Sequence, residues 1–324
     1  MRSYKGAAVG VIYRGLLSIA FVLASFGGDA AGQGRSSAAG DARSVTIKTQ
    51  PNAVVWIDGQ RYGRTGEDGV LKLSLAPAGR HTVRIRANGY REIERPSLIS
   101  SGATLTLSLV PTTDKAELAF QEADDLSQRD RSKAIEKYRE AIGLRPNYIA
   151  AHIELVRRLS EAGDVEAALS ALRALRKIAP RNAEASALEG RVYRDTGEDD
   201  KAVAAFKRAI AEGRGFQPEA LTGLGMLYKD KAEAAAAEGD VEQEAALYEQ
   251  SSRYFRDAIK QLGGAPDAVV LYQLLGLNLE KQKKYNEAIA VYSEFIRRFP
   301  ESDEAPTVRS FIEQLRRQIA EDRP

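Results

Sequence analysis

The feature that most constrains this chain is a 34-residue period of small and large side chains in its C-terminal two thirds. Ala134, Ala168 and Ala202 stand 34 residues apart. Tyr138, Leu172 and Phe206 follow them by four residues, and Ala141, Leu175 and Ala209 by seven. Pro146 and Pro180 come twelve residues after the first two Ala, and the frame returns at Ala288, Tyr292, Phe295 and Pro300. Residues three and four apart share one face of a helix, and a Pro behind it stops the helix. The preceding helices carry Gly190 with Tyr193, Gly225 with Tyr228 and Gly276 with Leu279. A small residue there lets two helices approach closely while a large side chain fills the space beside it. The spacing predicts a helix–turn–helix array, because a single pair cannot bury its apolar face alone.

Five repeats are expected, at 115–148, 149–182, 183–217, 218–266 and 269–302. The first is degenerate, with Glu122 where a small residue belongs, and the third lacks its terminal Pro. The fourth is expanded: Ala202 to Ser251 is 49 residues, 15 more than one period. The extra stretch, KAEAAAAEGDVEQEAALYEQ, is rich in helix-favouring Ala and Glu, so both helices of that repeat should lengthen. The insert reads either as a docking element or as a neutral extension. Residues 303–320 read as a capping helix whose apolar face is Val308, Phe311, Ile312 and Leu315. Over about two thirds of the chain this pattern resembles the tetratricopeptide repeat (TPR) family. The resemblance implies a right-handed α-solenoid of about five helix pairs, with peptide ligands in its concave groove.

The preceding region has a different period. SVTIKT, AVVWID, VLKLSL, HTVRIRA and TLTLSLV alternate apolar and polar side chains, as half-buried strands do. Turn signals separate them at Gln50-Pro51-Asn52, Asp58-Gly59, Asp68-Gly69, Ala78-Gly79 and Asn88-Gly89. A compact β-sandwich over 43–112 follows. Pro51 with Ala53, Val55, Ile57, Asp58 and Gly59, then Gly63, Thr65, Ala78-Gly79, His81, Val83 and Gly89-Tyr90, resembles the PEGA family of bacterial surface β-domains. Here Pro-Glu-Gly-Ala is contracted to Pro51-Asn52-Ala53. Residues from Thr65 through Gly89-Tyr90 are also similar to the regulatory-type β-sandwich found beside carboxypeptidases and outer-membrane receptors. Both resemblances imply a non-catalytic sandwich, and the first implies an envelope interaction module. The chain as a whole is thus expected to be a multidomain one, β followed by all-α.

Arg2, Lys5 and Arg14 precede the apolar run GLLSIAFVLASF and the small residues GGDAAGQG. That order is expected of a secretory signal peptide over 1–32, followed by a flexible linker at 33–42. Retained rather than cleaved, the same run would be a membrane anchor; otherwise no membrane contact is expected. The expected location is the periplasm or envelope of a bacterium.

Composition removes most catalytic chemistry. The chain has no Cys and two His, His81 and His152, which excludes thiolate metal sites and leaves little for imidazole-based ones. Phosphate-cradling glycine loops and hydrolase or metalloprotease motifs are lacking. No enzyme, cofactor or metal is expected. The 47 basic and 45 acidic side chains nearly balance, but unevenly. Residues 34–110 hold 11 basic and 6 acidic groups, a net of +5, whereas 111–324 hold 33 and 38, a net of −5. The halves are therefore expected to attract each other or different partners, and neither is basic enough for nucleic acid.

The first helix of each pair builds the concave wall of a solenoid. Arg157, Arg191, Arg194, Met226, Lys229 and Gln273 stand at its outward positions, as do Ile153, Glu184 and Leu277. The four cations form either a basic ladder for an acidic or extended peptide, or local pairs with neighbours such as Asp195 and Glu184. On the β-domain, Trp56 shares a strand face with Val54, opposite Ala53, Val55 and Ile57. It is either a stacking platform or packed beneath Tyr62, a loop or the helical domain. Arg84 and Arg86 alternate with Val83 and Ile85, giving a basic stripe that is either solvated or turned to an anionic envelope polymer. The function expected is a non-catalytic adaptor; the alternative is an envelope-polymer binder in which the repeats serve as spacer or oligomerisation module.

Overall fold

The computed structural model describes residues 44–321. The expected signal peptide and linker lie outside these residues. Seven strands come first: β1 (Val45–Lys48), β2 (Val54–Ile57), β3 (Gln60–Arg64), β4 (Val70–Leu73), β5 (Gly79–Arg86), β6 (Ile93–Ile99) and β7 (Thr104–Thr106). One sheet has the order β4-β1-β7, with β1 antiparallel to β4 and parallel to β7. The other is antiparallel, in the order β3-β2-β5-β6.

The five alternating segments form β1, β2, β4, β5 and β7. Strands β3 and β6 lie in segments without that alternation. Both are the outer strands of the second sheet, and a strand paired on one side only tolerates Gly63 or Pro96. Val45 and Ile47 from one sheet meet Ala53, Val55, Ile57, Val83 and Ile85 from the other in a dry core. The buried Thr65 ties strand ends together: its hydroxyl accepts from the Ala53 N–H at 2.8 Å and donates to the Gln50 carbonyl at 2.7 Å.

Eleven helices follow among the described residues: α1 (Lys115–Leu126), α2 (Arg131–Leu144), α3 (Ile149–Glu161), α4 (Val165–Ile178), α5 (Ala183–Asp195), α6 (Asp199–Glu212), α7 (Pro218–Glu238), α8 (Val241–Leu262), α9 (Ala268–Lys281), α10 (Tyr285–Arg298) and α11 (Ala305–Glu321). Side-chain caps from Asp114, Asp130, Asp164, Asn182 and Asp240 start five of them. The first ten pair in sequence as five helix hairpins of a solenoid, and α11 closes the end. The glycines do what the spacing predicts. A Cβ at Gly190 or Gly223 would overlap the Phe206 ring, one at Gly225 the Phe255 ring, and one at Gly276 the Tyr292 ring.

The expanded repeat consists of two long helices, 21 residues in α7 and 22 in α8, against 13 and 14 in α3 and α4. Glu122 does not occupy a small-residue position. It points outward to the Lys137 ammonium at 2.9 Å, and Ala119 and Ala123 supply the small buried side chains of α1. In α11, Val308, Ile312 and Leu315 are buried, while Phe311 lies at the edge of the Tyr292 ring with centroids 5.8 Å apart. No helix among the described residues is long and apolar enough to cross a membrane.

Candidate interaction groove

The inner wall of the solenoid is formed by α1, α3, α5, α7 and α9, and a row of five carboxylates stands in or just before these helices. Glu184 and Glu219 lie in the first turns of α5 and α7, and Asp267 directly precedes α9. The N-terminal end of a helix favours negative charge at these positions. Asp124 and Glu154 complete the row from α1 and α3. Arg157 stands among them. Its guanidinium meets Glu184 Oε1 at 3.0 Å, Glu219 Oε1 at 3.1 Å and Glu154 Oε1 at 3.5 Å. The Glu219 carboxylate, followed by Glu154 and Glu184, outweighs burial and holds the Arg157 pKa far above its usual value. Burial pushes the Glu184 and Asp267 carboxyls up, against the pull of Arg157 on the first and of Arg61, then Arg157, on the second.

The outer face of the β3-β2-β5-β6 sheet is turned toward this row. Trp56 pairs with Arg61 on one side and Arg84 on the other, and Arg86 lies further along β5. The Arg84 and Arg86 guanidinium carbons lie 4.4 and 5.0 Å from the Trp56 ring centroid, within cation–π range. Arg86 is 8% exposed. It bonds Glu92 Oε2 at 2.5 Å and the Asp124 carboxylate of α1, and covers the Phe120 ring at 4.3 Å. Arg84 lies in the field of Glu184. Burial and Arg64 pull the Arg61 guanidinium down, while Asp267 and Asp124 work against them. A basic sheet face therefore stands against an acidic helical wall, and the opposite charges of the two halves attract each other.

The contact is anchored differently at its two ends. At α1, the Glu92 N–H donates to Glu117 Oε1 at 2.7 Å and the Gly89 N–H to Gln121 Oε1 at 2.8 Å. Gln121 Nε2 donates to the Tyr90 carbonyl, and the Thr112 hydroxyl to Glu117 Oε2, both at 2.8 Å. At the other end the β-domain meets the α8–α9 turn. The Tyr62 hydroxyl lies beside Gly264, and burial pushes its pKa up to about 12. Leu75 passes so close to Gly264 that a Cβ there would overlap its carbonyl oxygen and its own Cβ. Tyr62 and Ala76 share one continuous core with Leu262 and Ala265.

The residues singled out in the sequence take the following places. Trp56 is half-buried beneath two guanidinium groups rather than under Tyr62. Arg86 is not part of a solvated stripe, because Asp124 and Glu92 neutralise it in a nearly dry site. Arg157 is the centre of the carboxylate row. Arg191 lies 3.8 Å from Glu161, Arg194 bonds Asp195 at 2.7 Å, and Lys229 bonds Glu233. Each of these four cations thus lies beside a carboxylate, Glu161 being shared by Arg191 and Arg158. Gln273 Nε2 donates to Glu304 Oε2 at 3.2 Å, and Met226 packs half-buried on the core. His81 bonds Asp58 at 2.6 Å, and His152 bonds the Pro146 carbonyl at 2.9 Å. Among the described residues, no group of His, Asp and Glu could hold a metal ion. The carboxylate row escaped the sequence reading. Its trace is five acidic residues in or just before the first helices, at intervals of 30, 30, 35 and 48 residues.

Comparison with known proteins agrees with this architecture. A tetratricopeptide repeat model matches residues 125–192 and 159–227, and a second matches 271–302. The PEGA domain model matches 43–113. No curated protein matches the chain. Among solved structures, yeast Tom70 is similar over 64% of this chain and 41% of its own, with 14% identity and a TM-score of 0.51. MamA covers 59% of this chain with 94% of its own, at 19% identity and a TM-score of 0.40. A thermophilic TPR protein of Thermus thermophilus covers 62% with 98% of its own, at 16% identity and a TM-score of 0.45. Residues 43–113 thus match a PEGA domain, and residues 125–227 and 271–302 match tetratricopeptide repeats.

Proposed function

We propose that the chain is a non-catalytic, exported adaptor of the bacterial cell envelope that holds a protein partner along the concave wall of its repeats. Tetratricopeptide repeats support a protein-interaction scaffold, and PEGA domains typically occur in exported proteins. The observation that carries the reading is the wall itself: α3, α5 and α7 bring Arg157, Glu154, Glu184 and Glu219 together on it. Within that groove the partner's proposed contacts are Arg191, Arg194, Met226, Lys229 and Gln273. Arg157 contributes by holding the wall in shape, since three carboxylates converge on it. The inward placement of Trp56, Arg84 and Arg86 favours this reading over envelope-polymer binding, which would need that face free.

Affinity capture from bacterial envelope extract tests it. Residues 34–324 are compared with a variant carrying Arg191, Arg194, Lys229 and Gln273 changed to Ala, with Arg157 kept. A protein retained by the parent and lost from the variant is the expected result. Equal retention by both, or retention of wall polymer alone, would contradict it.

A further inference from the structure

We propose that the β-domain is a permanent clasp on the solenoid: by joining the first helix pair to the last two, it holds a curvature that the middle pair leaves loose. Such a clasp acts whether or not the groove holds a partner.

In a repeat array each unit touches its neighbours alone, so small rotations add up along the array and nothing ties its ends. Here a folded domain ties them. At α1, Asp125 takes the Asn88 amide, Gln121 the Gly89 N–H and Glu117 the Glu92 N–H, around the Arg86–Asp124 pair. At the other end the domain has no core boundary with the helices. Val55, Ile57, Tyr62 and Ala76 run without a break into Leu262, Ala265 and Ala268. Leu75 lies so close to Gly264 that no Cβ fits between them. Among the described residues, no hydrogen bond or ion pair joins the domain to α3, α4, α5 or α6; those it makes to the helices gather on α1. The bridge therefore passes over the middle of the array.

What it passes over is the thinnest part of the core. One apolar cluster fills α1 to α5, and another fills α8 to α11 together with the β-domain. Between them, the cluster of α5, α6 and α7 is Ala187, Ala202, Ala209 and Ala220, with Phe206 and Leu224 as its large side chains. Alanines bury little apolar area, so this junction resists bending least. The turn behind α6 adds to it: Arg214 and Gly215 stand at φ 53° and 89°, outside any helix. Tied at both ends, an array with such a middle keeps one curvature. A groove of fixed width then meets its partner preorganised, which lowers the ordering cost of binding.

The absence of native Cys allows pairs of spin labels on the full chain, read by pulsed electron resonance. Arg139→Cys on α2 with Ser293→Cys on α10 spans the first and fifth helix pairs, and both positions are exposed. Arg139→Cys with Ser170→Cys on α4, also exposed, spans the first and second pairs alone. Each pair of labels should give one narrow distance in the parent. Gln121→Ala and Gly264→Ala in one chain loosen both ends of the clasp. The long pair should then lose its single narrow distance and spread, while the short pair stays narrow. A long pair that stays narrow in this variant overturns the clasp, and so does one already broad in the parent. Should the short pair spread as well, Gln121→Ala alone, which leaves the apolar end intact, replaces the double variant under the same two readings. Neither result touches the capture of a partner through Arg191, Arg194, Lys229 and Gln273, which fails or succeeds separately.

Discussion

Arg86 of strand β5 and Asp124 of helix α1 form a buried ion pair that joins the PEGA domain to the first tetratricopeptide repeat. The pair does not stand alone. Glu92 takes the guanidinium Nε–H at 2.5 Å, and the Tyr138 hydroxyl donates to Asp124 Oδ1 at 2.7 Å. Phe120 and Trp56 close over the guanidinium from two sides. Burial pushes the Asp124 carboxyl up against the opposing field of Arg86. Attraction between the halves, read from their opposite net charges, thus includes one contact in which the guanidinium is buried and the carboxylates are half-buried.

Removing the cation leaves Asp124 with the Tyr138 hydroxyl as its remaining partner and a side chain 31% open to water. Arg86→Ala is therefore expected to lower stability by about 1–3 kcal/mol, below the about 3–5 kcal/mol of a fully buried pair broken from one side. Urea unfolding measures it. A loss near zero would mean that solvent reaches Asp124 freely.

The Thr65 hydroxyl satisfies a buried backbone donor, the Ala53 N–H. Thr65→Val keeps the shape and removes the hydroxyl. The unsatisfied donor should cost about 1–3 kcal/mol. Thr65→Ser keeps the bond and should recover most of that loss in a thermal melt.

Gly276 and Gly143 predict opposite signs for the same substitution. Gly276→Ala gains about 1 kcal/mol of helix propensity. It also drives a Cβ into the Tyr292 ring, and overpacking of this kind costs about 1–3 kcal/mol. Net destabilisation is expected. Gly143→Ala in α2 meets nothing and should raise the melting temperature.

His81 gives the β-domain a pH dependence. Burial pulls its pKa down, but the bond to Asp58 and the Ala78 carbonyl outweigh it and leave the pKa raised. A folded-state pKa above the unfolded one makes the stabilisation complete below about pH 6.5, the ordinary His value. It is lost as pH rises through the folded pKa. Melting temperatures measured from pH 5 to 9 should fall over that window, and His81→Gln should flatten the fall.

The repeats were legible because their signal is local. Ala134, Tyr138 and Ala141 state a helix face within eight residues, and Gly190 or Gly276 announces a close approach that one aromatic side chain completes. Ala53, Val55 and Ile57 likewise assigned the faces of β2, so the direction of Trp56 followed from period two alone. What Trp56 faces did not follow. That depends on Asp124, Glu154, Glu184, Glu219 and Asp267, which come together only when five helices stack, at intervals stretched by the long fourth repeat. Glu122 shows the same limit on a smaller scale. The frame placed it inward, but a shift in the phase of α1 gave that place to its Ala neighbours. Strands β3 and β6 escaped because outer strands need no regular alternation.

The central claim is that an arginine-bearing sheet is seated on an acidic helical wall as one cooperative body. A double-mutant cycle on Arg86→Ala and Asp124→Asn, read by equilibrium unfolding of the full chain, tests it most directly. The account predicts a coupling energy of about 2 kcal/mol or more, as for charges that touch in a desolvated site. Additive effects, within about 0.5 kcal/mol, would mean that the two residues do not meet and that the PEGA domain is not seated on the repeats.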